Sequence, residues 1–441
     1  MELYNLVSLA GIVVLLALAW LLSEHRRQLN WRVTLGGLAF LLAFGLFMFV
    51  SPAGPTVFRW VNDAVNKVLD SAGAGTRFVL GRLALPPGAT DAQGQTSLGF
   101  ILACQALPSI IFFSALVSVL YYYDVLPRLI RFFAWLFSRA LRLSGAESLC
   151  AASDIFVGIE ASLTIRPHLA GMTRSELCTI LTTGMASIAS NVLAMYVAIL
   201  NPQFPTIAGH LVSASFLAIP AALVMSKILL PETGRPLTYG RDIEAAYRRE
   251  GSLFEAVING AMAGVKLIVG IVALLIAVLG LAALVDLLLN TAGGQVNAWF
   301  GTSLDLSLRS LLGLLFVPFA LVMGVPPGDA VTIGRIVGER LVLTEVASYH
   351  DLAMALQQGA LVHPRSAVIA AYALCGFAHI ASMAIFVGGI AALAPERKET
   401  LARLGLRALV GATLATLLVG CVAGACYTGP TLLFGPGAAG K

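Results

Sequence analysis

Between Lys266 and Asp286 the chain reads LIVGIVALLIAVLGLAALV, with no charged or hydrogen-bonding side chain. A helix needs about 20 apolar residues to cross the hydrocarbon core of a membrane. Lipid offers no water to backbone N–H and C=O groups, so such a run has to be helical. Comparable runs occupy 5–22, 33–50, 104–123, 176–200, 209–230, 366–392 and 407–428. With 257–289 they predict eight transmembrane helices. Charged residues make up 12% of the chain and the mean hydropathy is +0.88. Soluble domains carry about 25% charged residues, so a large soluble helical protein is excluded. The first run has no basic segment before it and no small-residue cleavage site after it. It reads as a retained helix rather than a signal peptide.

The net charge of +5 does not point to nucleic acid, because the basic residues sit in short loops. SEHRRQLNWR follows the first run, PRLIRFFAWLFSRALR the third and GRPLTYGRDIEAAYRR the fifth, and PERKETLARLGLR precedes the last. Alternate crossing puts all four on one face if 143–175 does not cross. By the positive-inside rule that face is cytoplasmic. Both termini then lie on the periplasmic side of a bacterial inner membrane. Segments 57–70 and 125–142 are amphipathic and predict helices lying in the membrane plane against lipid headgroups. The 6 cysteines form no CxxC pair, which argues against disulfides and zinc.

Segment 143–175 is apolar enough to enter a bilayer but is broken by Gly145, Ser153, Asp154, Gly158, Glu160 and Pro167. Basic residues flank both of its ends, so it predicts a re-entrant hairpin. Segment 312–350 is broken in the same way, by Pro318, Gly324, Pro326, Pro327, Gly328 and Gly334, and carries Glu345 near its end. Each segment precedes two spans, and IEAS at 159–162 rhymes with TEVAS at 344–348. Paired broken segments entering from opposite sides are the repeat signature of a secondary transporter. The fold class is therefore an all-α polytopic membrane protein with two re-entrant hairpins in inverted repeats. The expected division is a scaffold at 1–142, a first hairpin with two spans at 143–230, a loop and long span at 231–311, and a second hairpin with two spans at 312–441.

Ionisable residues at bilayer depth cost roughly 2.5–3.5 kcal/mol each on insertion scales and default to function. Here they are Asp154, Glu160, Glu345 and His379. MASIASNV (185–192) places Ser187, Ser190 and Asn191 in the fourth span, and FAHIAS (377–382) places His379 and Ser382 in the seventh. Serine and asparagine in a span often only bond helix to helix. No HExxH, GxSxG or P-loop is present, so metalloprotease, serine hydrolase and nucleotide-driven chemistry lack their parts.

At these residues the chain resembles the concentrative nucleoside transporter family. The resemblance rests on LPSIIFFSALVSVLYY (107–122), SGAESLCAASDIFVG (144–158), IRPHLAGMTRSEL (165–177), GMASIASNVLA (184–194), LVMGVP (321–326), YALCGFAH (372–379) and GGIAALAPERKETLARLGLRAL (388–409), besides SEHRRQLNWR. It implies a homotrimer, an elevator-like transport domain and cation-coupled uptake of nucleosides, with no cofactor beyond the coupling ion, H+ or Na+. It assigns the ribose hydroxyls to Glu345 and Ser382, a first-hairpin carboxylate to Glu160, and base contacts to Phe377 and Val192. It assigns the sodium site to Ser187, with backbone carbonyls from Val157 and Ile188.

Four departures fall in the pocket, one of them Thr344 where the family has an asparagine before the second-hairpin glutamate. The family's first-hairpin Gly-Gln-Thr-Glu-Ala-Pro is one residue shorter here, so Ile159 replaces the two residues that contact the base. Asp154 stands for the sodium-site asparagine if IFVG anchors the alignment, or Ser153 if Glu160 anchors it without a gap, and His379 stands for the asparagine of the seventh span. Asp154 with Ser187 offers an oxygen site for sodium, and Asp154 offers a proton carrier that asparagine cannot. The lost base contacts also leave a modified nucleoside or other sugar-like solute as an alternative cargo.

Overall fold

The computed structural model describes residues 3–429 apart from 52, 87, 91–93, 242, 247–249 and 301–305. The last arginines of the third basic loop, at 248 and 249, lie outside the described residues.

The N-terminal region holds α1 (Leu3–Leu21), α2 (Trp31–Phe49), α3 (Gly54–Leu80), the short α4 (Leu102–Gln105), α5 (Ser109–Tyr122) and α6 (Val125–Leu141). The first hairpin pairs α7 (Gly145–Ser153) with a 3₁₀ arm, Ile159–Gly171. Then come α8 (Arg174–Ala186), α9 (Ser190–Leu200), α10 (Ile207–Leu229) and α11 (Leu253–Phe300). The second half runs α12 (Leu308–Val322), α13 (Pro327–Leu343), α14 (Glu345–Gln357), α15 (Pro364–Ala373), α16 (Ile380–Leu393) and α17 (Lys398–Ala425). Seven helical stretches among the described residues are long and apolar enough to cross a membrane. The protein is an all-α polytopic membrane protein.

Two spans that read as continuous are broken. The fourth unwinds at 187–189, between α8 and α9, and the seventh at 374–379, between α15 and α16. Neither break lowers hydropathy enough to register in a run of apolar residues. The two breaks meet backbone to backbone, since a Cβ on Gly376 would fall 2.5 Å from the Ala186 carbonyl oxygen. The orphaned carbonyls that end a helix need donors, and for α15 two side chains supply them. Arg340 Nη1 donates to Ala373 O at 2.6 Å and Tyr349 Oη to Ala371 O at 3.0 Å.

The second hairpin begins later than 312. Its arms are α13 and α14, and α12 packs separately along α13. The hairpin bases lie at opposite ends of the molecule. At one end Glu24, just past α1, pairs with Arg174 at 2.9 Å and contacts Arg407, while Gly145 N donates to Thr238 O at 3.0 Å. All four basic loops or their neighbours thus gather around the first hairpin's base. At the other end buried Arg365 donates to Gly324 O, Asn5 Oδ1, Ser8 Oγ and Gly424 O. There Asp329, at the base of α13, accepts from the backbone of Val362 and His363. A helix of α1's length separates these ends by about 28 Å.

Within segment 1–142 the helices also reach neighbours from later in the chain. α1 lies on α17 and α2 on α10, whereas α5 pairs with α11. That last contact is close because α11 carries Gly260 and Gly264. A Cβ on Gly260 would meet Ala115 Cα at 2.7 Å, and one on Gly264 would meet Ile111 Cα at the same distance. Glycines four apart admit this backbone approach.

Candidate functional site

Both hairpin tips and both helix breaks converge on one cavity of about 140 Å³. Ile159, Glu160, Val192, Glu345, Phe377, His379 and Ser382 all line it. The apolar wall is completed by Leu267, Ile271, Leu274 and Leu275 of α11. Drug-sized ligands occupy pockets of roughly 300 Å³ and above, so a solute of that size has to part these walls. A larger cavity of about 670 Å³ lies between α3 and α14 and holds none of these residues.

Three helices start at the cavity. α9 opens with Ser190, Asn191 and Val192, α14 with Glu345, and α16 with His379 as its cap. Their N-terminal ends bring partial positive charge to an otherwise oily space. Glu345 complements that charge and is buried to 3% exposure. Tyr196 Oη donates to its Oε1 at 2.6 Å, and His379 Nε2 lies 2.9 Å from its Oε2. The His379 tautomer follows from its other nitrogen. Nδ1 accepts the Ser382 N–H at 3.1 Å, so the ring proton sits on Nε2, facing the carboxylate. Ser382 completes a reciprocal cap, accepting from His379 N at 3.3 Å and donating to His379 O at 2.7 Å. In the sequence His379 and Ser382 look like helix neighbours in a continuous span. In the structure they are the cap that starts a half-helix.

Thr344 joins α13 to α14 with no intervening residue and has φ 83° and ψ 160°. A β-branched residue in this glycine-favouring region carries roughly 1–3 kcal/mol of strain. Its hydroxyl is buried, lines the cavity and has no hydrogen-bond partner among the described residues. On the opposite wall Ile159 sits against α16, where a Cβ on Gly389 would fall 2.3 Å from its Cδ1.

The candidate cation residues lie on two joined segments beside this cavity. Asp154 caps the end of α7 and is 1% exposed, and its Oδ2 has no hydrogen-bond partner among the described residues. Ser187 and Ile188 form the break after α8. Val157 is in the tip, and the neighbouring Phe156 O accepts from Ser190 N at 3.1 Å, tying tip to break. Sequence reasoning missed Tyr196, which sits one turn beyond Val192 in an apolar helix and looks like core. It also passed over Arg340, whose buried guanidinium caps α15.

Hairpins, half-helices and the cavity where they meet define a polytopic helical membrane transporter. Comparison with known proteins narrows the class. Residues 10–83 match the Na+ dependent nucleoside transporter N-terminus, 103–203 match nucleoside recognition, and 210–424 match the Na+ dependent nucleoside transporter C-terminus. An uncharacterized transporter of Haemophilus influenzae is 38% identical over 95% of this chain and 97% of its own length. Sodium/nucleoside cotransporter 1 of Rattus norvegicus is 34% identical over 96% of this chain, which spans 64% of the rat protein. The solved structure of CNTnw in an inward-facing substrate-bound state superposes with a TM-score of 0.85 at 34% identity, covering 98% of this chain and 99% of that one. The chain belongs to the Na+-dependent nucleoside transporter family, a family of transporters and not of enzymes.

Proposed function

We propose that this chain is a cation-coupled symporter that imports nucleosides across a bacterial inner membrane. The observation that carries the reading is the convergence of both hairpin tips and both helix breaks on one cavity around Glu345. A carboxylate held there can accept from vicinal sugar hydroxyls. His379 and Ser382 complete the sugar end, and Tyr196 positions Glu345. Phe377, Ile159 and Val192 form the apolar wall for the base, with Glu160 taking a donor from it. A second cargo reading, a modified nucleoside or sugar-like solute, is motivated by Ile159 where the resembled family reads the base with polar side chains.

For coupling, Asp154, Ser187 and the carbonyls of Val157 and Ile188 supply oxygen ligands for sodium. A buried carboxylate with an unpaired oxygen requires either a cation or its own proton. The proton is favoured here, because asparagine could bind sodium but could not carry H+. The basic loops around the first hairpin's base support a cytoplasmic location for that end and a periplasmic one for both termini. We further assign the two repeats to a moving transport domain in a homotrimer, with α5 and α11 on the stationary side.

Uptake of radiolabelled nucleosides into proteoliposomes, under separate sodium and pH gradients, tests the reading. Uptake under a pH gradient alone is expected. Uptake driven only by sodium would overturn proton coupling. If no nucleoside enters under either gradient, the cargo is wrong. Thermal-shift screening with nucleosides, bases and sugars then separates the two cargo readings.

A further inference from the structure

We infer that Glu339 and Asp351 hold a proton between the two arms of the second hairpin, a proton-binding site separate from Asp154. Its link to nucleoside binding rests on the reading above; the site itself does not. Glu339 stands six residues before Glu345 and Asp351 six residues after it. The arms join at Thr344, so the two acids sit at equal depth on opposite arms, about 9 Å from the tip. Arg309, at the start of α12, reaches both. Its Nε lies 3.2 Å from Glu339 Oε2 and its Nη2 3.0 Å from Asp351 Oδ2. A guanidinium fork ordinarily takes both oxygens of one carboxylate; here it takes one from each of two. Glu339 is wholly buried. The Arg309 contact aside, neither of its oxygens has a hydrogen-bond partner among the described residues. The first hairpin echoes the spacing: Asp154 stands six residues before Glu160 and also has an oxygen without a partner among those residues.

The charges around the pair balance only with the proton. On α13 itself Arg335 is exposed, and Arg340 is committed to Ala373 O and Thr416 Oγ1. On α14 the exposed His350 has Nδ1 3.6 Å from Asp351 Oδ1. Asp286 of α11 accepts from Leu308 N at 2.6 Å, adding negative charge at the start of α12. Arg365 of α15 is bound at the hairpin's base, and His379, which caps α16, faces Glu345. One half-exposed guanidinium therefore serves two carboxylates. A buried carboxylate without full pairing is costlier than its protonated form, and two acids sharing a site retain a proton between them. Asp351 is partly exposed and keeps the negative charge that pairs with Arg309, so Glu339 keeps the proton. Losing it would set two like charges on one guanidinium and push α13 and α14 apart below the joint that presents Glu345. Proton binding thus favours the closed hairpin, and by linkage nucleoside and proton strengthen each other's binding.

The test is the melting temperature of the detergent-solubilised full chain between about pH 5 and 9. It compares the wild type, Glu339→Gln and Asp351→Asn, each with and without Asp154→Asn. A proton held by the folded chain and released on unfolding makes stability fall as pH rises. The wild type should show that fall. Glu339→Gln should make it shallower, by the same amount with or without Asp154→Asn. Asp351→Asn removes the second negative charge and should act in the same direction, which keeps the test open if Glu339→Gln does not fold. A slope unchanged in these variants overturns the site, as does a change that vanishes once Asp154→Asn is present. Affinity for nucleosides, read from stabilisation by the five common ones, should weaken about tenfold across the same range in the wild type and less than about threefold in Glu339→Gln. Equal weakening in both overturns the link to Glu345. If no nucleoside stabilises the chain, the cargo reading fails, and the melting slopes still decide the proton site.

Discussion

The two hairpins answer the same topological need with different mechanics. The second has regular helical arms, 17 residues of α13 and 13 of α14, joined at the single strained residue Thr344. The first has a 9-residue α7, an irregular tip and a 13-residue 3₁₀ arm containing Pro167. Runs of 3₁₀ helix beyond three or four residues are uncommon, because the hydrogen bonds are poorly aligned. The second tip delivers a carboxylate already held by two donors. The first delivers Ile159 and an exposed Glu160. The contrast teaches that one end of the cavity is rigidly preorganised and the other is adaptable. A sugar, common to all nucleosides, suits the rigid end, and a variable base suits the other.

The largest effect should come from the rigid tip. Glu345→Gln removes the charge that the Tyr196 hydrogen bond and the 2.9 Å His379 contact use, and bonds to charged groups are worth about 1.5–3 kcal/mol each. Initial uptake at low substrate should fall about 100-fold. Glu160→Gln at the other tip should change it only about threefold, and equal losses at both tips would erase the contrast. Tyr196→Phe removes the hydroxyl hydrogen bond to Glu345 and should raise the half-saturating concentration about tenfold.

Smaller effects test the tip backbones by thermal unfolding in detergent. Thr344→Gly relieves strain of roughly 1–3 kcal/mol against about 1 kcal/mol of added chain entropy. The melting temperature should rise, and a fall would mean that the hydroxyl matters more than the strain.

Hydropathy made the helices legible, because a span is a matter of length and apolarity. The amphipathic pattern at 125–142 became α6 almost residue for residue, while that at 57–70 is part of the longer α3. What stayed hidden within the spans has one physical cause. Unwinding inside a span changes backbone geometry, not polarity, so Ser187–Ala189 and 374–379 read as uninterrupted helix. The site residues Glu345, His379 and Ser382 stood out because ionisable and hydroxyl groups are conspicuous in apolar runs. Tyr196 did not, since its ring resembles core and only its hydroxyl reaches the carboxylate. Thr344 stands where the resembled family has asparagine, and only its φ marks the backbone as unusual.

Arg365 carries a consequence for how the chain is assembled. Its guanidinium is satisfied by groups from α1, the turn after α12 and the end of α17, and it lies over the rings of Tyr4 and Tyr427. The partners span nearly the whole length of the polypeptide, so this charge cannot be fully sheltered until the final helix is in place. Contacts this distant in sequence form late. α1 therefore waits for α17, and a chain cut short before Gly424 would carry an unsheltered cation that marks it as unfinished.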